Sequence, residues 1–451
     1  MREHVIIGRF GPGDRVVIPT AIGEVATKLN LVASDRALGY GIGQALSDLR
    51  KLRLVPTEVA LDLLVLAAHV HAADTRISRA TESQDSWTRE IRLVVPVNDP
   101  AKWVRAAPTL RRILDFLTGD RWTVDFRSRP PKFKQYIPQA PAELIPTVFD
   151  SVNLFSGGLD SLIGAIDTLE AGGHPLFASH AGEGAVSKPQ ENCFDVLQKH
   201  YAKLSPTRFR LWMNFPKQLV RNVGAEDSTR ARSFLFFALG IFAGSGFGKP
   251  FALRVPENGL ISLNVPLDTL RLGALSTRTT HQFYIARWNQ LLSILGIPAV
   301  VDNLYWNKTK GEMVAECTNA KLLLNLIPSS MSCASPTKGR WKGLPAEHCG
   351  FCLPCLIRRA ALVSSGDPTT YSVPNLAASP MDTRRAEGQQ IRSFQYAIER
   401  LRARPQLAKM LIHKPGPLYD NPERLGDLAG VYQRGLEEVG VLLKSVKARP
   451  S

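Results

Sequence analysis

The 451-residue chain is 44% hydrophobic, a composition typical of a soluble protein with two or three domains. Its longest apolar stretches, Leu63–Ala68 and Phe234–Ala243, are too short to span a bilayer, and no targeting segment follows Met1, so we expect a cytoplasmic protein without a membrane segment. The formal net charge of +16 admits a nucleic-acid partner. Because no stacking aromatics are interleaved with the basic residues, we favour an arginine-rich solvated surface instead.

Residues 1–128 predict a separate N-terminal α+β module. Apolar alternation indicates short strands, and the stretch behind the N-cap residue Thr57 has the apolar content of a buried helix. The predicted strands are Val5–Ile7, Arg15–Ile18, Arg92–Val97 and Trp122–Phe126, and the predicted helices are Val59–Val70 and Trp103–Leu117. None of these stretches carries chemistry on its own.

Residues 129–149 predict a linker, because their prolines prevent a continuous helix or a central strand. A second domain follows at 150–366. Strands at Leu176–Ser179, Arg208–Met213 and Leu253–Val255 alternate with helices near Gln190–Tyr201 and Arg232–Ala243. Such alternation predicts a parallel sheet with right-handed crossovers, that is, an α/β domain with a Rossmann-like, doubly wound fold.

The strongest motif is Ser156-Gly157-Gly158-Leu159-Asp160-Ser161, directly after an apolar strand. The two glycines permit a tight turn and the close approach of an anion. The two serines bring hydroxyls to a helix start, whose free N–H groups favour a polyphosphate. Asp160 would repel phosphate alone, which implies a cation such as Mg²⁺ between them. The alternative is an ordinary strand, turn and helix.

No lysine follows these glycines, so the motif is not the GK[ST] P-loop. It resembles the PP-loop of the ATP pyrophosphatases, which cleave ATP between the α- and β-phosphates and transfer AMP to a substrate. The resemblance implies that ATP is bound by Ser156, Gly157, Gly158, Asp160 and Ser161, with Asp160 as a catalytic residue.

Three later stretches are candidates to complete the pocket. Glu257 and Asn258 lie in a turn-rich loop suited to reading a polar base edge, and Arg278 and His281 stand among hydroxyl residues, where Arg278 could grip a carboxylate or phosphate. Surface-loop and helix-capping roles explain these two stretches equally well. Lys310, at a helix start, would bind ATP and neutralise charge as pyrophosphate departs; a solvated lysine is the alternative.

Four of the six cysteines predict a metal site. Cys349, Cys352 and Cys355 form a Cys-x₂-Cys-x₂-Cys run, and Cys333 precedes it. Four thiolates close a tetrahedral Zn²⁺ site with every position filled by protein, which indicates a structural role. An iron–sulfur cluster is the alternative that the same thiolates allow.

Residues 367–451 predict a helical C-terminal extension. After several prolines, two amphipathic helices are expected at Arg384–Arg402 and Pro422–Lys444. Their basic outer faces would leave the apolar sides to cover the preceding domain or a partner subunit.

The order of these motifs resembles that of the QueC family, the 7-cyano-7-deazaguanine synthases. The similarity covers Ser156–Ser161, Thr309–Glu312, Ser332-Cys333, the cysteine run and Arg358, over about half of the chain. It implies that ATP adenylates the carboxylate of 7-carboxy-7-deazaguanine and that an amine then attacks the acyl-adenylate. In the synthases the amine is ammonia.

The departures from this family are the N-terminal module, the extension, and the Glu257-Asn258-Gly259 loop in place of a tyrosine-proline-aspartate-cysteine stretch. They make the chain more similar to the QueC-like QatC proteins of Qat anti-phage defence systems. That likeness implies a partner protein from the same system, whose amine is a candidate acceptor. Two other hypotheses stay open: a PP-loop enzyme that modifies tRNA, by thiolation or a similar reaction, and a non-catalytic nucleotide-dependent scaffold.

Overall fold

The computed structural model describes residues 2–32, 37–84, 86–138, 147–181, 184–226, 228–268, 278–337 and 346–450. Two parallel sheets form its frame. The first has the strand order β2-β1-β3-β4 and the second the order β7-β6-β5-β8-β9. The strands are β1 (Glu3–Arg9), β2 (Val25–Asn30), β3 (Glu90–Val97), β4 (Arg121–Ser128), β5 (Ser151–Leu154), β6 (Pro175–His180), β7 (Thr207–Leu211), β8 (Phe251–Arg254) and β9 (Ala299–Asp302).

Helices connect the strands and cover both sheets. In chain order they are α1 (Ile42–Lys51), α2 (Glu58–Arg76), α3 (Arg79–Glu82), α4 (Pro100–Thr118), α5 (Leu159–Glu170), α6 (Gly184–His200), α7 (Arg232–Gly244), α8 (Gly259–Leu263), α9 (Gln282–Leu295), α10 (Lys310–Ala315), α11 (Ala320–Leu326), α12 (Leu353–Leu362), α13 (Ala386–Ala403), α14 (Leu407–Leu411) and α15 (Leu425–Leu442). None of the helices in the described ranges is long and apolar enough to cross a membrane.

The second sheet has the predicted α/β architecture. Strands β5 to β8 occur at the predicted stretches, and all five strands run parallel. Strand order reverses at β5, so the chain after β5 and the chain after β8 leave the same edge of the sheet side by side. Ligands of doubly wound sheets bind at this kind of position.

The N-terminal module is α/β and not the expected α+β. Its strands β1 to β4 are all parallel, with α2 and α4 packed on the sheet as crossover helices. The predicted strand at Arg15–Ile18 is wrong, because that segment joins no ladder. Val25–Asn30 pairs with β1 instead, on the edge that Arg15–Ile18 would have needed.

One hydrophobic core runs through both sheets. Helix α2 is buried along almost its whole length and packs on β3 on one side and on the apolar helix α7 on the other. Thr57 caps α2 as predicted, accepting a hydrogen bond from the backbone of Ala60. The predicted linker falls partly within 139–146, outside the described residues, but Arg129 is buried and pairs with Glu58 and Asp62.

The C-terminal extension has a core of its own. Helices α13, α14 and α15 pack together and cover α8 and α12 of the second sheet's domain. A short parallel pair, β10 (Met381–Asp382) and β11 (Ala448–Arg449), ties the end of the chain back to the start of α13. The two predicted amphipathic helices correspond to α13 and α15.

Candidate active site

The Ser156–Ser161 motif forms a turn between β5 and α5. Gly157 has φ +76°, a left-handed conformation that favours glycine, and a Cβ there would lie 2.9 Å from Gln190. Gly158 is the N-cap residue of α5. Because glycine has no side chain to cap the helix, the first N–H groups of α5 can bond to other partners. The hydroxyls of Ser156 and Ser161 lie 3.1 Å apart. The turn therefore presents two hydroxyls beside a helix N-terminus.

Asp160 joins three elements of the fold. Its Oδ1 lies 2.7 Å from Nζ of Lys310, the first residue of α10. Its Oδ2 accepts hydrogen bonds from the backbone and the side chain of Asn258, at 3.1 and 2.7 Å. All three side chains are buried, so the cation and the carboxylate offset each other's cost of desolvation. The structure thus brings residues from positions 160, 258 and 310 together.

Asn258 is fully buried and its polar groups are engaged within the protein. Besides donating to Asp160, it accepts a hydrogen bond from the backbone of Ile261 and caps α8. This arrangement orients the Asp160 carboxylate. The Oδ1 of Asn258 accepts a hydrogen bond from α8 and is therefore not directed at the edge of a base.

A cavity of about 420 Å³ opens beside the turn, at the carboxyl ends of β5, β6 and β8. Its walls combine apolar and polar side chains. The polar lining residues are Ser156, Ser161, His180, Gln190, Thr229, Arg232, Ser233, Glu257, Thr279 and Ser332. A pocket of this size and mixed lining is suited to a small organic ligand with a few fixed polar groups.

Arg232 supplies positive charge to the cavity. It begins the apolar helix α7, lies over the ring of Phe236 at 5.0 Å, and pairs with no carboxylate among the described residues. Burial lowers the pKa of its guanidinium, which shows that the charge has little solvent to stabilise it. A partly buried guanidinium without a carboxylate partner at a cavity wall is suited to bind a phosphate or carboxylate.

Gln190 and His180 form the adjoining wall. Nε2 of Gln190 donates to the backbone oxygen of His180 at 3.4 Å, while its Oε1 has no partner among the described residues. Burial, together with the charge of Arg232, lowers the pKa of His180 to about 4, so the ring is neutral at pH 7. Helix α2 backs this wall, since the rings of His71 and His180 are 5.8 Å apart.

Glu257 lines the cavity opposite these groups. Its carboxylate accepts a hydrogen bond from the hydroxyl of Thr280. Its backbone N–H donates to the side chain of Asn303, and its backbone oxygen accepts a hydrogen bond from the same side chain. Burial, with a smaller contribution from the negative charge of Asp160, raises the pKa of Glu257 to about 7. A carboxyl group with this pKa can take up or release a proton near neutral pH.

Arg278 and His281 lie elsewhere. The guanidinium of Arg278 donates to the backbone oxygen of Phe116 in α4 at 2.9 Å and stacks over its ring, and the buried His281 caps α9 and contacts the same phenylalanine. Neither residue is among the described residues that line the cavity. Burial lowers both pKa values, that of His281 to about 3. Leu275–Thr277 of the predicted stretch fall outside the described residues.

The four predicted cysteines come together as a candidate metal centre. The sulfur atoms of Cys333, Cys349, Cys352 and Cys355 all lie within 4.8 Å of one another, and two of the pairs are 3.9 Å apart. Four thiolates at about 2.3 Å from one tetrahedral Zn²⁺ would be spaced at about this distance. The buried cluster could therefore bind a metal such as zinc, whereas an iron–sulfur cube would spread its thiolates farther apart.

Hydrogen bonds connect the candidate metal centre to the Ser156–Ser161 turn. Arg358, fully buried in α12, donates to the hydroxyls of Ser330 and Ser332. Ser332 in turn accepts a hydrogen bond from the backbone of Leu159 at the start of α5, and the backbone of Met331 donates to Gly157. The segment before Cys333 thus supports the turn from the side opposite β5.

Sequence reasoning missed Arg232, Gln190 and Ser332 as site residues. Arg232 is the one charge at the start of an otherwise apolar helix, which is a signal that the sequence does contain. Gln190 carries no such signal, because its place on the cavity wall depends on how α6 packs beside β5.

Comparison with known proteins adds no assignment. A search against models of protein families found no match, and a search of curated proteins found none either.

Proposed function

We propose that the chain is an ATP-dependent enzyme that adenylates the carboxylate of a deazapurine, such as 7-carboxy-7-deazaguanine, and passes the acyl group to an amine. The observation that carries the proposal is the turn Ser156–Ser161, with Asp160 and Lys310 beside it and Arg232 across one cavity. Hydroxyls at a helix N-terminus and the guanidinium of Arg232 line one small cavity, and Lys310 contacts Asp160 of the same turn, a combination that favours a polyphosphate ligand.

In the first step, a carboxylate oxygen of the substrate attacks the α-phosphorus of ATP. The bond from that phosphorus to the bridging oxygen breaks, and pyrophosphate leaves. The turn would bind the phosphates through the hydroxyls of Ser156 and Ser161. Lys310 would neutralise charge that develops on the departing pyrophosphate, and Arg232 would bind an anionic group on the opposite wall.

Asp160 is suited to hold Mg²⁺ against the phosphates. Its Oδ2 already accepts two hydrogen bonds from Asn258, whereas Oδ1 contacts only Lys310 and has a further lone pair, so a cation can be added at Oδ1 without breaking these contacts. When bound, Mg²⁺ would supply positive charge between the carboxylate and the polyphosphate.

In the second step, the amine nitrogen attacks the acyl carbon and AMP leaves. The nitrogen must lose a proton, and Glu257 is the cavity residue with a pKa suited to accept it. The acceptor is proposed to be ammonia or an amine of a partner protein of a defence system. Mass spectrometry of such a partner after incubation with enzyme, ATP and the deazapurine would show the added acyl group.

The test of the proposal is the position at which ATP is cleaved. With ATP labelled at the α-phosphate and both the deazapurine and ammonia present, we expect labelled AMP and equimolar pyrophosphate. Labelled ADP would contradict cleavage at the α-phosphorus. Product that forms equally well without the deazapurine would contradict the substrate.

A sulfur-inserting activity on tRNA is the second candidate, because Cys333 lines the same cavity as the phosphate turn. It requires a reactive thiol or an iron–sulfur cluster at the cysteines. Colourless protein with one zinc per chain would exclude the cluster, and protein with iron and a visible absorption band would favour this candidate.

A further inference from the structure

Helix α15 of the C-terminal extension contacts three elements that carry site residues. Helix α8 follows Asn258, α10 begins at Lys310, and α12 carries Arg358 and the last cysteine of the cluster. All three elements pack against α15. The extension therefore lies directly behind the groups that surround Asp160.

Two glycines show how closely side chains of α15 approach α10 and α8. A Cβ at Gly311 would lie 2.5 Å from Oε1 of Glu438, and a Cβ at Gly259 would lie 3.0 Å from Val431. Gly311 directly follows Lys310, and Gly259 directly follows Asn258, the N-cap residue of α8. The first turns of α10 and α8 therefore lie against side chains of α15.

Glu438 is bound to the first turn of α10 through both carboxyl oxygens. The hydroxyl of Thr309, the N-cap residue, donates to Oε1, and the backbone of Gly311 donates to Oε2 at 3.3 Å. The same hydroxyl accepts the backbone N–H of Glu312, so its single proton is directed to Glu438. Burial raises the pKa of Glu438, yet both bonds use it as an acceptor.

We propose that Glu438 is a positioning residue that fixes Lys310 opposite Asp160, which makes the C-terminal extension a working part of the active site. The inference rests on the proposed function for its catalytic consequence. Thr309 and Gly311 flank Lys310, so their bonds to Glu438 set the rotation of the first turn of α10. A small rotation would move Nζ of Lys310 away from its position 2.7 Å from Oδ1 of Asp160.

The test replaces Glu438 with Gln in the full chain and uses Glu437→Gln as the control. Glu437 is the exposed neighbour on the same helix, so the control makes the same chemical change away from α10. The two bonds end on different oxygens of Glu438, and a glutamine has an acceptor at only one of these two positions, so it cannot keep both bonds in their present geometry. We expect kcat for AMP formation to fall on the order of 10-fold, with KM for ATP changed less than about two-fold.

Amide hydrogen exchange gives a readout that does not depend on activity. In Glu438→Gln, peptides that cover residues 310–315 should exchange roughly five-fold faster, because one hydrogen bond is lost. Glu437→Gln should leave them unchanged.

The outcomes separate the two claims. Faster exchange with lower kcat at unchanged zinc content and melting temperature supports the positioning role. Exchange or kcat in Glu438→Gln that matches Glu437→Gln overturns it. If the unaltered protein forms no AMP at all, the proposed function fails, and the exchange data alone then decide whether Glu438 holds α10.

Discussion

At the scale of single residues, the site divides into groups that are bound to one another and groups that face the cavity. Asp160, Lys310 and Asn258 are bound to one another and are buried. Arg232, Gln190 and Glu257 lie in the cavity wall. The first set is not among the described residues that line the cavity, and the second set is.

Replacing Asp160 with Asn should abolish most ATP cleavage, and because it also leaves Lys310 buried without its anionic partner, activity is compared on the folded fraction of each protein. The amide is the same size and keeps an oxygen for Asn258, but it loses the charge that pairs with Lys310 and holds Mg²⁺. We expect AMP formation to fall about 10²-fold or more. Asp195→Asn, an exposed change on α6, is the matched control. Unaltered AMP formation in Asp160→Asn would exclude the assigned role.

The raised pKa of Glu257 should make the stability of the protein depend on pH. Its folded pKa of about 7 is raised above the ordinary value, so the folded state binds an extra proton between the two values. The protein should therefore lose stability, relative to Glu257→Gln, as pH rises from 5 to 8. The loss should be on the order of 2 kcal/mol. Chemical unfolding at each pH measures it, and a difference that is independent of pH would contradict the raised pKa.

Local spacing made part of this site predictable. The turn Ser156–Ser161 is one continuous motif, and the cysteine run is another, so their chemistry is readable without a fold. Arg232 was not predictable in this way, because its neighbours come from β5, β6 and β8 and depend on strand order. Arg278 and His281 have the chemistry of ligand-binding residues, yet they contact Phe116.

At the scale of elements, α12 connects the cysteine cluster to the Ser156–Ser161 turn. Cys352 is the N-cap residue of α12, Cys355 lies in its first turn, and Arg358 reaches Ser332. A metal ion that fixes this helix would also fix the support of Leu159. A zinc ion bound there would therefore have a structural effect that extends to the Ser156–Ser161 turn.

Cys349→Ser should remove the metal and loosen this support. Loss of one of four ligands leaves an incomplete tetrahedral site, so zinc content should fall from about one per chain to near zero and the melting temperature should fall with it. Cys317→Ser is the control, because Cys317 is buried but lies outside the cluster. Elemental analysis and thermal unfolding measure both effects. Full zinc retention in Cys349→Ser would contradict the assignment.

Most elements were predictable from periodicity, and the failures have identifiable causes. Helix α2 and strand β6 have unmistakable apolar patterns. Arg15–Ile18 has the composition of a strand, but Val25–Asn30 occupies the available edge of β1. Propensity does not specify which of two nearby segments pairs.

At the scale of the whole molecule, a buried charge network fastens the N-terminal sheet to α7. Asp74 of α2 pairs with Arg79 and Arg89 and accepts the backbone N–H of Ala231, next to Arg232. The network and the shared core join regions that composition predicts as separate modules. Contacts between distant segments are not encoded in local pattern, so this union was not predictable.

Asp74→Asn should destabilise the whole protein in one step. It leaves Arg89 buried with one fewer anionic partner, which costs about 3–5 kcal/mol. Asp48→Asn, in an exposed pair with Lys51, should cost no more than about 1 kcal/mol. Urea unfolding followed by circular dichroism should show one transition in each case. Two separated transitions would contradict a shared core.

The central claim is that this chain activates a carboxylate as an acyl-adenylate. The most direct test is isotope exchange between labelled pyrophosphate and ATP in the presence of 7-carboxy-7-deazaguanine. We predict exchange that requires the deazapurine and is lost in Asp160→Asn. Exchange that is equally fast without the deazapurine would contradict its assignment as the substrate. An absence of both exchange and AMP would contradict the adenylation itself.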